Sequence, residues 1–227
     1  MAKLTFHGHA TFSIETDDGS HLVIDPFFRD NPSFEGSLDD IEADFILLTH
    51  GHQDHVADAI PLAERTGATI IASFEIASYM ENQGLPASPQ HIGGGVHYPF
   101  GYAKMTPALH GGMVQLPDAE AFTTVPGGFL IRLSSGQSFY HAGDTALLMD
   151  MQLLKGKVDV AVLPIGDRFT MGPEDAVTAV EFIEPKVVIP CHYDTWPPIE
   201  QDADAFAAAV GERAHVEVMR PGASYDF

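Results

Sequence analysis

The feature that most constrains this chain is His50-Gly51-His52-Gln53-Asp54-His55, a segment that places four potential metal ligands within six residues. It follows closely on the apolar run at residues 45–48, which has the composition of a buried strand. Zn²⁺ and related divalent ions accept imidazole nitrogen and carboxylate oxygen, and a catalytic ion leaves a position open for water. The segment therefore predicts the start of a metal site at the end of a strand.

Three further candidate ligands follow apolar segments elsewhere in the chain: His110, Asp144 and His192. Taken singly, His110 would be explained as an ordinary loop histidine, and Asp144 as the cap of a following helix. All three nevertheless come at the ends of strand-like runs, and in α/β sheets functional sites form outside such ends. We therefore expect these residues to complete the site that the six-residue motif begins.

The spacing within the motif divides the ligands between two ions. His50 and His52 lie two residues apart in an extended chain, so their side chains project to the same side and can hold one ion. Asp54 and His55 lie where the chain turns and can reach a second ion, with the Asp144 carboxylate as a bridge. The predicted metal ligands are His50, His52, Asp54, His55, His110, Asp144 and His192.

This combination of motifs resembles the metallo-β-lactamase superfamily of binuclear metal hydrolases. The resemblance lies in an H-x-H-x-D-H motif after a strand, a distant histidine, Gly143-Asp144-Thr145 and a late histidine. Residues 6–12, 163–173 and 189–195 further resemble the branch of metal-dependent hydrolases related to ascorbate-6-phosphate lactonases. The resemblance runs from about residue 3 to the C-terminus. It implies a metal-dependent hydrolase.

The resemblance implies an α/β fold, a four-layer αββα sandwich with the metal site at one edge. The order of the chain agrees, because two β-rich openings each lead into alternating strands and helices, which suggests two similar halves. We expect a single domain over residues 1–227. Residues 27–43 predict a surface loop near the mouth of the site. In the second half, the pattern predicts a helix from about Ala146 and a final strand at residues 216–219.

The resemblance implies roles for Asp25 and His9, and strand-end position suggests roles for three further residues. Asp25 is expected to hold the motif loop by accepting backbone hydrogen bonds, not to bind metal. His9 lies close to the expected pocket, where its ring can bind substrate or orient a ligand. Arg168, Thr170 and Tyr193 follow two strand ends that should open onto the same rim, and an arginine there can hold a phosphate or carboxylate. The alternative for Arg168 is a solvated loop charge.

Composition limits the partners and the location. The formal charge is −21, from 32 acidic against 11 basic side chains, so the surface should repel nucleic acid. A single cysteine, Cys191, excludes an intrachain disulfide and fits a reducing compartment. No apolar run is long enough to cross a bilayer, and residues 1–4 lack the apolar core of a signal peptide. We expect a cytoplasmic protein without nucleic-acid or membrane partners. The sequence is compatible with either a monomer or a homo-oligomer.

The predicted activity is hydrolysis by a metal-activated hydroxide. Two divalent ions would lower the pKa of a shared water toward about 7, and Asp54 would be the catalytic residue that orients the resulting hydroxide. Zn²⁺ is expected first, with Mn²⁺, Fe²⁺ or Ni²⁺ as alternatives. The bond cleaved is an ester, lactone or phosphodiester of a small molecule. Two bound cations would also suit an anionic substrate.

Two other interpretations use the same scaffold. One is a di-iron oxidoreductase, and the resemblance argues against it because such relatives tend to carry a carboxylate where this chain has His52. The other is a non-catalytic metal-binding protein, whose signature would be a missing ligand. No ligand of the motif set is missing from the sequence.

Overall fold

The strands form two β-sheets, described here by a computed structural model for residues 1–116 and 120–227. The first six strands are β1 (Lys3–Phe6), β2 (Phe12–Glu15), β3 (His21–Ile24), β4 (Phe45–Leu47), β5 (Thr69–Ser73) and β6 (Ala87–Gln90). The others are β7 (Gly95–Tyr98), β8 (Gly101–Pro107), β9 (Gly127–Leu133), β10 (Ser138–His141), β11 (Val160–Pro164), β12 (Val187–Cys191), β13 (His215–Val216) and β14 (Ser224–Asp226).

The two sheets have closely similar topologies. Sheet 1 has the order β14-β1-β2-β3-β4-β5-β6, and sheet 2 has the order β13-β12-β11-β10-β9-β8-β7. In each sheet a first group of strands pairs antiparallel, and a second group, β3 to β6 or β10 to β13, pairs parallel. The C-terminal strand β14 returns to the first half and pairs with β1. Two similar halves therefore face each other, as the order of the chain predicted.

Side-chain alternation along the strands builds three apolar layers. On β4, Leu47 points into the core between the sheets, and Ile46 points into the layer beneath the helices of sheet 1. On β11, Val162 and Leu163 divide in the same way between the central core and the outer layer of sheet 2. These strands are buried on both faces, which explains why they read as continuous apolar runs.

Helices cover both outer faces. Those over sheet 1 are α1 (Gln53–Val56), α2 (Ala59–Thr66) and α3 (Phe74–Asn82); those over sheet 2 are α4 (Pro173–Ile183), α5 (Ala203–Val210) and the 3-10 helix Met149–Leu154. The predicted αββα sandwich is confirmed. Within the described ranges, no helix has both the length and the apolar character needed to cross a membrane.

The prediction of a helix from about Ala146 was wrong at its start. The structure has a 3-10 helix at Met149–Leu154 instead. The backbone groups before this helix are hydrogen-bonded to other segments and so are not free for helical bonds. Ala146 donates its N–H to the Leu109 carbonyl, and the Thr145 carbonyl accepts from the Met171 N–H. These bonds hold the segment after Asp144 in a non-helical form.

Two other boundaries also differ from the predictions. The strand expected at residues 216–219 is only β13, His215–Val216, at the edge of sheet 2. Its neighbour β12 contains Pro190, which has no N–H to donate to a longer ladder. The predicted surface loop at residues 27–43 includes a 3-10 helix at Leu38–Asp40 and the buried side chains of Phe27 and Phe28.

The topology brings the candidate ligands to one edge of the sandwich. In sheet 1, β1, β3 and β4 run in the same direction, and their carboxyl ends are followed by His9, Asp25 and the motif from His50. In sheet 2, β8, β10 and β12 also share a direction, and they are followed by His110, Asp144 and His192.

Candidate metal centre

Three imidazole nitrogens converge in a first group formed by His50, His52 and His110. His50 Nε2 lies 3.0 Å from His52 Nδ1, and His110 Nε2 lies 3.2 Å from the same His52 atom. Nitrogens bound at 2.0–2.1 Å to a tetrahedral ion lie about 3.3 Å apart. The observed spacing therefore fits three ligands of one ion.

A second group contains Asp54, His55 and His192, with His9 within reach of the same space. His55 Nε2 lies 4.0 Å from Asp54 Oδ1, and His192 Nε2 lies 3.9 Å from Asp54 Oδ2. Two imidazole nitrogens and one carboxylate face this space, a donor set that suits the same class of divalent ion. The motif thus contributes side chains to both groups, and their division between two ions stays a prediction.

Asp144 lies between the two groups. Its Oδ2 is 3.4 Å from His110 Nε2 and 3.1 Å from His192 Nε2, while its Oδ1 is 3.4 Å from His55 Nε2. One carboxylate therefore faces ligands of both groups, the position that a bridging ligand requires.

A buried network behind the ligands fixes their ring orientation. Asp25 accepts hydrogen bonds from the Thr49 N–H (2.8 Å), the Thr49 hydroxyl (2.6 Å) and His55 Nδ1 (2.8 Å). Since the Thr49 hydroxyl donates to Asp25, it is an acceptor for His50 Nδ1–H at 3.1 Å. Both histidines then present their Nε2 lone pairs to the metal site. The Asp25 oxygens are already engaged, so the carboxylate supports the ligands.

Buried polar atoms test whether the residues fit bound metal. His55 Nε2 and Asp144 Oδ1 are buried and face each other at 3.4 Å, and within the part of the chain that the structure describes neither atom has a hydrogen bond of good geometry. Such atoms are costly unless something satisfies them, and a divalent cation would satisfy both. The donor set and these unsatisfied atoms fit a metal ion.

The electrostatics of the ligands agree with this fit. Burial lowers the pKa of His50 well below its ordinary value, which keeps its imidazole neutral, the form that binds metal. Burial also lowers the pKa of His55, but the nearby carboxylates of Asp144, Asp25 and Asp54 outweigh it and raise the pKa well above the ordinary value. The surroundings of His55 therefore favour a positive charge at this point.

His9 packs directly against the second group. Its Nε2 lies 3.1 Å from Asp54 Oδ2, its Nδ1 lies 2.8 Å from the Thr195 hydroxyl, and its ring centroid lies 4.0 Å from that of His192. Burial lowers the His9 pKa to about 4, so the ring is neutral and carries one N–H. Because a carboxylate only accepts, Nε2–H donates to Asp54 and Nδ1 accepts from Thr195.

The mouth of the site has an apolar rim that sequence reasoning missed. Met113, Phe169 and Trp196 line an open cavity of about 350 Å³ together with the metal-facing side chains. All three are partly exposed. Met113 has no sequence signal, because its loop has no regular periodicity. Phe169 lies in, and Trp196 directly after, a stretch that carries the family resemblance. That resemblance was the one sequence signal that these residues lie near the site.

The remaining predicted substrate residues lie apart from the metal-facing side chains. Arg168 is exposed, and its guanidinium carbon lies 5.6 Å from the Phe169 ring centroid. The Thr170 hydroxyl donates to the Met171 carbonyl, and Tyr193 packs against the outer apolar layer of sheet 2. None of Arg168, Thr170 and Tyr193 lines the cavity at the metal ligands, whereas His9 contacts Asp54.

Comparison with known proteins places the chain among hydrolases. Residues 3–192 match the family described as Beta-lactamase superfamily domain. A protein of Heliobacterium modesticaldum, named UPF0173 metal-dependent hydrolase, is 46% identical over an alignment of 231 positions, which covers 98% of this chain and 96% of the relative. The solved structure of Igni18, a metallo hydrolase from the archaeon Ignicoccus hospitalis, has a TM-score of 0.89 and 35% identity, and the match covers 100% of this chain and 99% of that one.

A more distant structure shows the range of the fold. CmlA, a diiron beta-hydroxylase from Streptomyces venezuelae, has a TM-score of 0.77 at 16% identity, over 100% of this chain and 54% of that chain. At this identity the likeness shows the fold alone. The specific evidence is the family match over most of the chain and the relative at 46% identity. This chain therefore belongs to the beta-lactamase superfamily and, within it, to the UPF0173 metal-dependent hydrolases, and it is an enzyme.

Proposed function

We propose that this enzyme uses two divalent metal ions to hydrolyse a small carboxylic ester or lactone without a formal charge. The supporting observation is the convergence of two histidine-containing groups on the single carboxylate of Asp144, with its Oδ1 and His55 Nε2 buried and unsatisfied among the described residues. One ion would be held by His50, His52 and His110, the other by Asp54, His55 and His192. Ions bound there would lower the pKa of a water toward about 7 and polarise the scissile carbonyl.

Asp54 is proposed to orient the attacking water. Its side chain is 27% exposed and lines the open cavity, whereas the Asp144 side chain is only 3% exposed. In the metal-free protein, burial raises the Asp54 pKa, but the charge of His55 and the hydrogen bond from His9 outweigh it, so the net pKa lies well below the ordinary value. A cation bound by His55 would act on Asp54 in the same direction. Asp54 therefore stays a carboxylate and can accept a hydrogen bond from water.

The rim favours an uncharged substrate over an anionic one. Met113, Phe169 and Trp196 offer apolar contacts, and no lysine or arginine lines the cavity within the described part of the chain. The adjoining cavity includes Asp30, which would repel an anion. A phosphodiester would therefore find little charge complementarity outside the metal centre. Zn²⁺ stays the first expectation for the ions. The same nitrogen and oxygen set also accepts Mn²⁺, Fe²⁺ and Ni²⁺, which are the alternatives.

Metal analysis tests the two-ion proposal. We expect about two ions per chain in protein purified without a tag or chelator, and fewer in His52→Ala because the first group loses a ligand. His97→Ala is the matched control, since this exposed histidine lies on β7 and contacts Tyr102. Absence of metal from wild-type protein after dialysis against Zn²⁺ or Mn²⁺ would remove the proposal.

Substitution of Asp54 tests its role. Asp54→Asn should reduce hydrolysis of a lactone or aryl ester by about 100-fold or more, because the amide loses the negative charge that orients the water. Asp30→Asn makes the same chemical change in the adjoining cavity and should leave the rate within a few-fold. Equal rates for Asp54→Asn and wild type would exclude Asp54 from the mechanism.

A substrate comparison addresses the alternatives. An aryl ester or lactone should be turned over faster than an aryl phosphodiester carrying the same leaving group. Purified protein should show no dependence on an added electron donor. Oxidation of a substrate that requires a reductant, together with no hydrolysis of either ester class, would support the di-iron oxidoreductase instead.

A further inference from the structure

A second cavity of about 240 Å³ lies on the outer face of sheet 2, away from the metal centre. Its floor is formed by β8, β9 and β10, and one wall is the 3-10 helix Met149–Leu154. Met151 and Leu154 from this helix and Leu130 from β9 give it apolar surface. Ligand sites in proteins typically measure about 300–1,000 Å³, and this cavity is smaller than that range. Its size therefore suits a small ligand, and its lining suits a ligand with an apolar part.

Basic side chains are concentrated around this cavity. Lys104, Arg132 and Lys157 line it, although the whole chain has only 11 lysines and arginines against 32 acidic residues. Lys104 pairs with Leu130 across β8 and β9, and Tyr102 pairs with Arg132, so the two cations are diagonal neighbours on the same face. Among the described residues neither forms an ion pair, and Asp150 is the one acidic residue in the lining.

Lys104 and Arg132 lie on adjacent strands without an acidic partner among the described residues. Like charges on neighbouring strands repel each other, and long side chains on diagonal positions are within reach of one another. Four of the other basic side chains, Arg29, Lys155, Lys186 and Arg213, each pair with an acidic side chain. Lys104 and Arg132 instead have a second cation as a neighbour. An anion bound between Lys104 and Arg132 would remove the repulsion.

Two hydroxyl groups lie at the floor of the cavity. The Thr106 hydroxyl is buried, lies beside that of Tyr140, and has no hydrogen bond of normal geometry within the described residues. Tyr140 is 1% exposed, and burial raises its pKa, against a smaller opposing effect of Thr106, so the phenol keeps its proton. Both groups can donate to a bound oxygen atom. The Thr106 hydroxyl therefore keeps hydrogen-bonding capacity for a ligand in the cavity.

We propose that this cavity binds a small amphipathic carboxylate. Its head group lies between Lys104 and Arg132 and accepts a hydrogen bond from Thr106, and its apolar tail packs against Leu130, Met151 and Leu154. The guanidinium of Arg132 can bind both carboxylate oxygens. The site is separate from the metal centre and does not depend on the proposed hydrolysis.

Methionine NMR can locate the ligand. Met151 lines this cavity and Met113 lines the metal centre, so ¹³C-methyl labelling of methionine in the metal-loaded protein reports on both places, with signals assigned from Met151→Leu and Met113→Leu. Octanoate should shift the Met151 signal saturably. Octanol, which lacks the charge, should bind about tenfold more weakly, and acetate, which lacks the tail, should leave the signal unchanged.

Variants separate the charges from the fold. Lys104→Gln/Arg132→Gln should weaken octanoate binding by about tenfold or more and leave octanol binding unchanged. Lys3→Gln/Arg220→Gln removes the same types of charge elsewhere and should leave both affinities unchanged. Thr106→Val removes the buried hydroxyl without a large change in volume, so it should retain the fold yet weaken octanoate binding.

Several outcomes would overturn the proposal. They are a shift of the Met113 signal alone, equal affinities for octanol and octanoate, or the same weakening in the control pair as in Lys104→Gln/Arg132→Gln. No saturable shift of Met151 up to millimolar octanoate would also overturn it.

Discussion

At the scale of single residues, His9 shows how a side chain outside the predicted ligand set can govern the site. It adopts a positive φ of 58°, as does His192 at 53°, and the His192 N–H donates to the His9 carbonyl at 2.7 Å. A residue with a side chain is uncommon in this backbone region, so the surrounding contacts must hold it there. The ring is thereby fixed between Asp54 and Thr195.

This geometry predicts that His9 positions Asp54. His9→Ala should lower kcat by about 10- to 100-fold, the usual range for residues that support metal ligands. His9→Gln should recover part of the rate because its amide can donate to Asp54. His7→Gln is the matched control, since His7 bonds to Ser13 and packs near Phe28 away from the ligands. Equal rates for His9→Ala and wild type would contradict this role.

The burial of His7 should make the stability of the protein depend on pH. Burial lowers its pKa from 6.5 to about 4, so between these values the unfolded chain binds more protons than the folded one. The free energy of unfolding should therefore fall as the pH decreases from 6.5 toward 4. Denaturant titrations should show a shallower fall for His7→Gln than for wild type. Parallel pH profiles would mean that His7 makes no contribution.

At the scale of elements, a loop docks onto the metal motif and completes the site. The Gln115 N–H donates to the Gly51 carbonyl at 2.7 Å, and the Gln115 side chain accepts from the Gln53 N–H at 3.0 Å. A Cβ atom added at Gly51 would lie 2.8 Å from the Val114 Cα. Only glycine permits this close approach of two backbones.

Gly51→Ala should therefore displace the loop that carries Met113. We expect metal content to fall and KM for an apolar ester to rise, while circular dichroism stays close to that of wild type, because neither Gly51 nor Val114 lies in a helix or strand. Gly67→Ala is the contrasting control: that glycine ends α2 with a positive φ, and an added Cβ meets nothing within 4 Å. Its cost should appear in stability and not in KM. Unchanged metal content and KM in Gly51→Ala would show that the loop adjusts freely.

At the scale of the whole molecule, the charge of −21 acts against compactness. Side chains of one sign repel each other across the folded surface, and salt screens this repulsion over a Debye length of about 10 Å at 0.1 M. The repulsion is therefore greatest at low ionic strength.

We expect the Tm of the metal-loaded enzyme to rise when NaCl is increased from about 0.01 M to 0.5 M, because the Debye length shortens over this range. KCl at equal ionic strength should act equally, which separates screening from effects of one cation. A Tm that falls or stays constant with both salts would show that repulsion does not limit stability.

The sequence by itself determined the fold class and the seven candidate ligands. The ligands follow apolar runs at strand ends, so local pattern predicted them. The four-layer αββα sandwich was implied by the resemblance to the metallo-β-lactamase superfamily, and the alternating order of strands and helices agreed with it. The division of the motif into two groups also followed from local geometry, because residues two apart in extended chain share a side. The assignment of these ligands to metal stays a prediction.

Only the tertiary structure decided the surroundings of those ligands. The segment after Asp144 is non-helical because Leu109 and Met171, far away in sequence, supply its hydrogen-bond partners. Met113 and Trp196 reach the rim through loops without periodicity, and the cavity beside Lys104 and Arg132 arises from the pairing of two strands. Such features depend on which segments meet in space, and the pattern of a single segment does not contain that information.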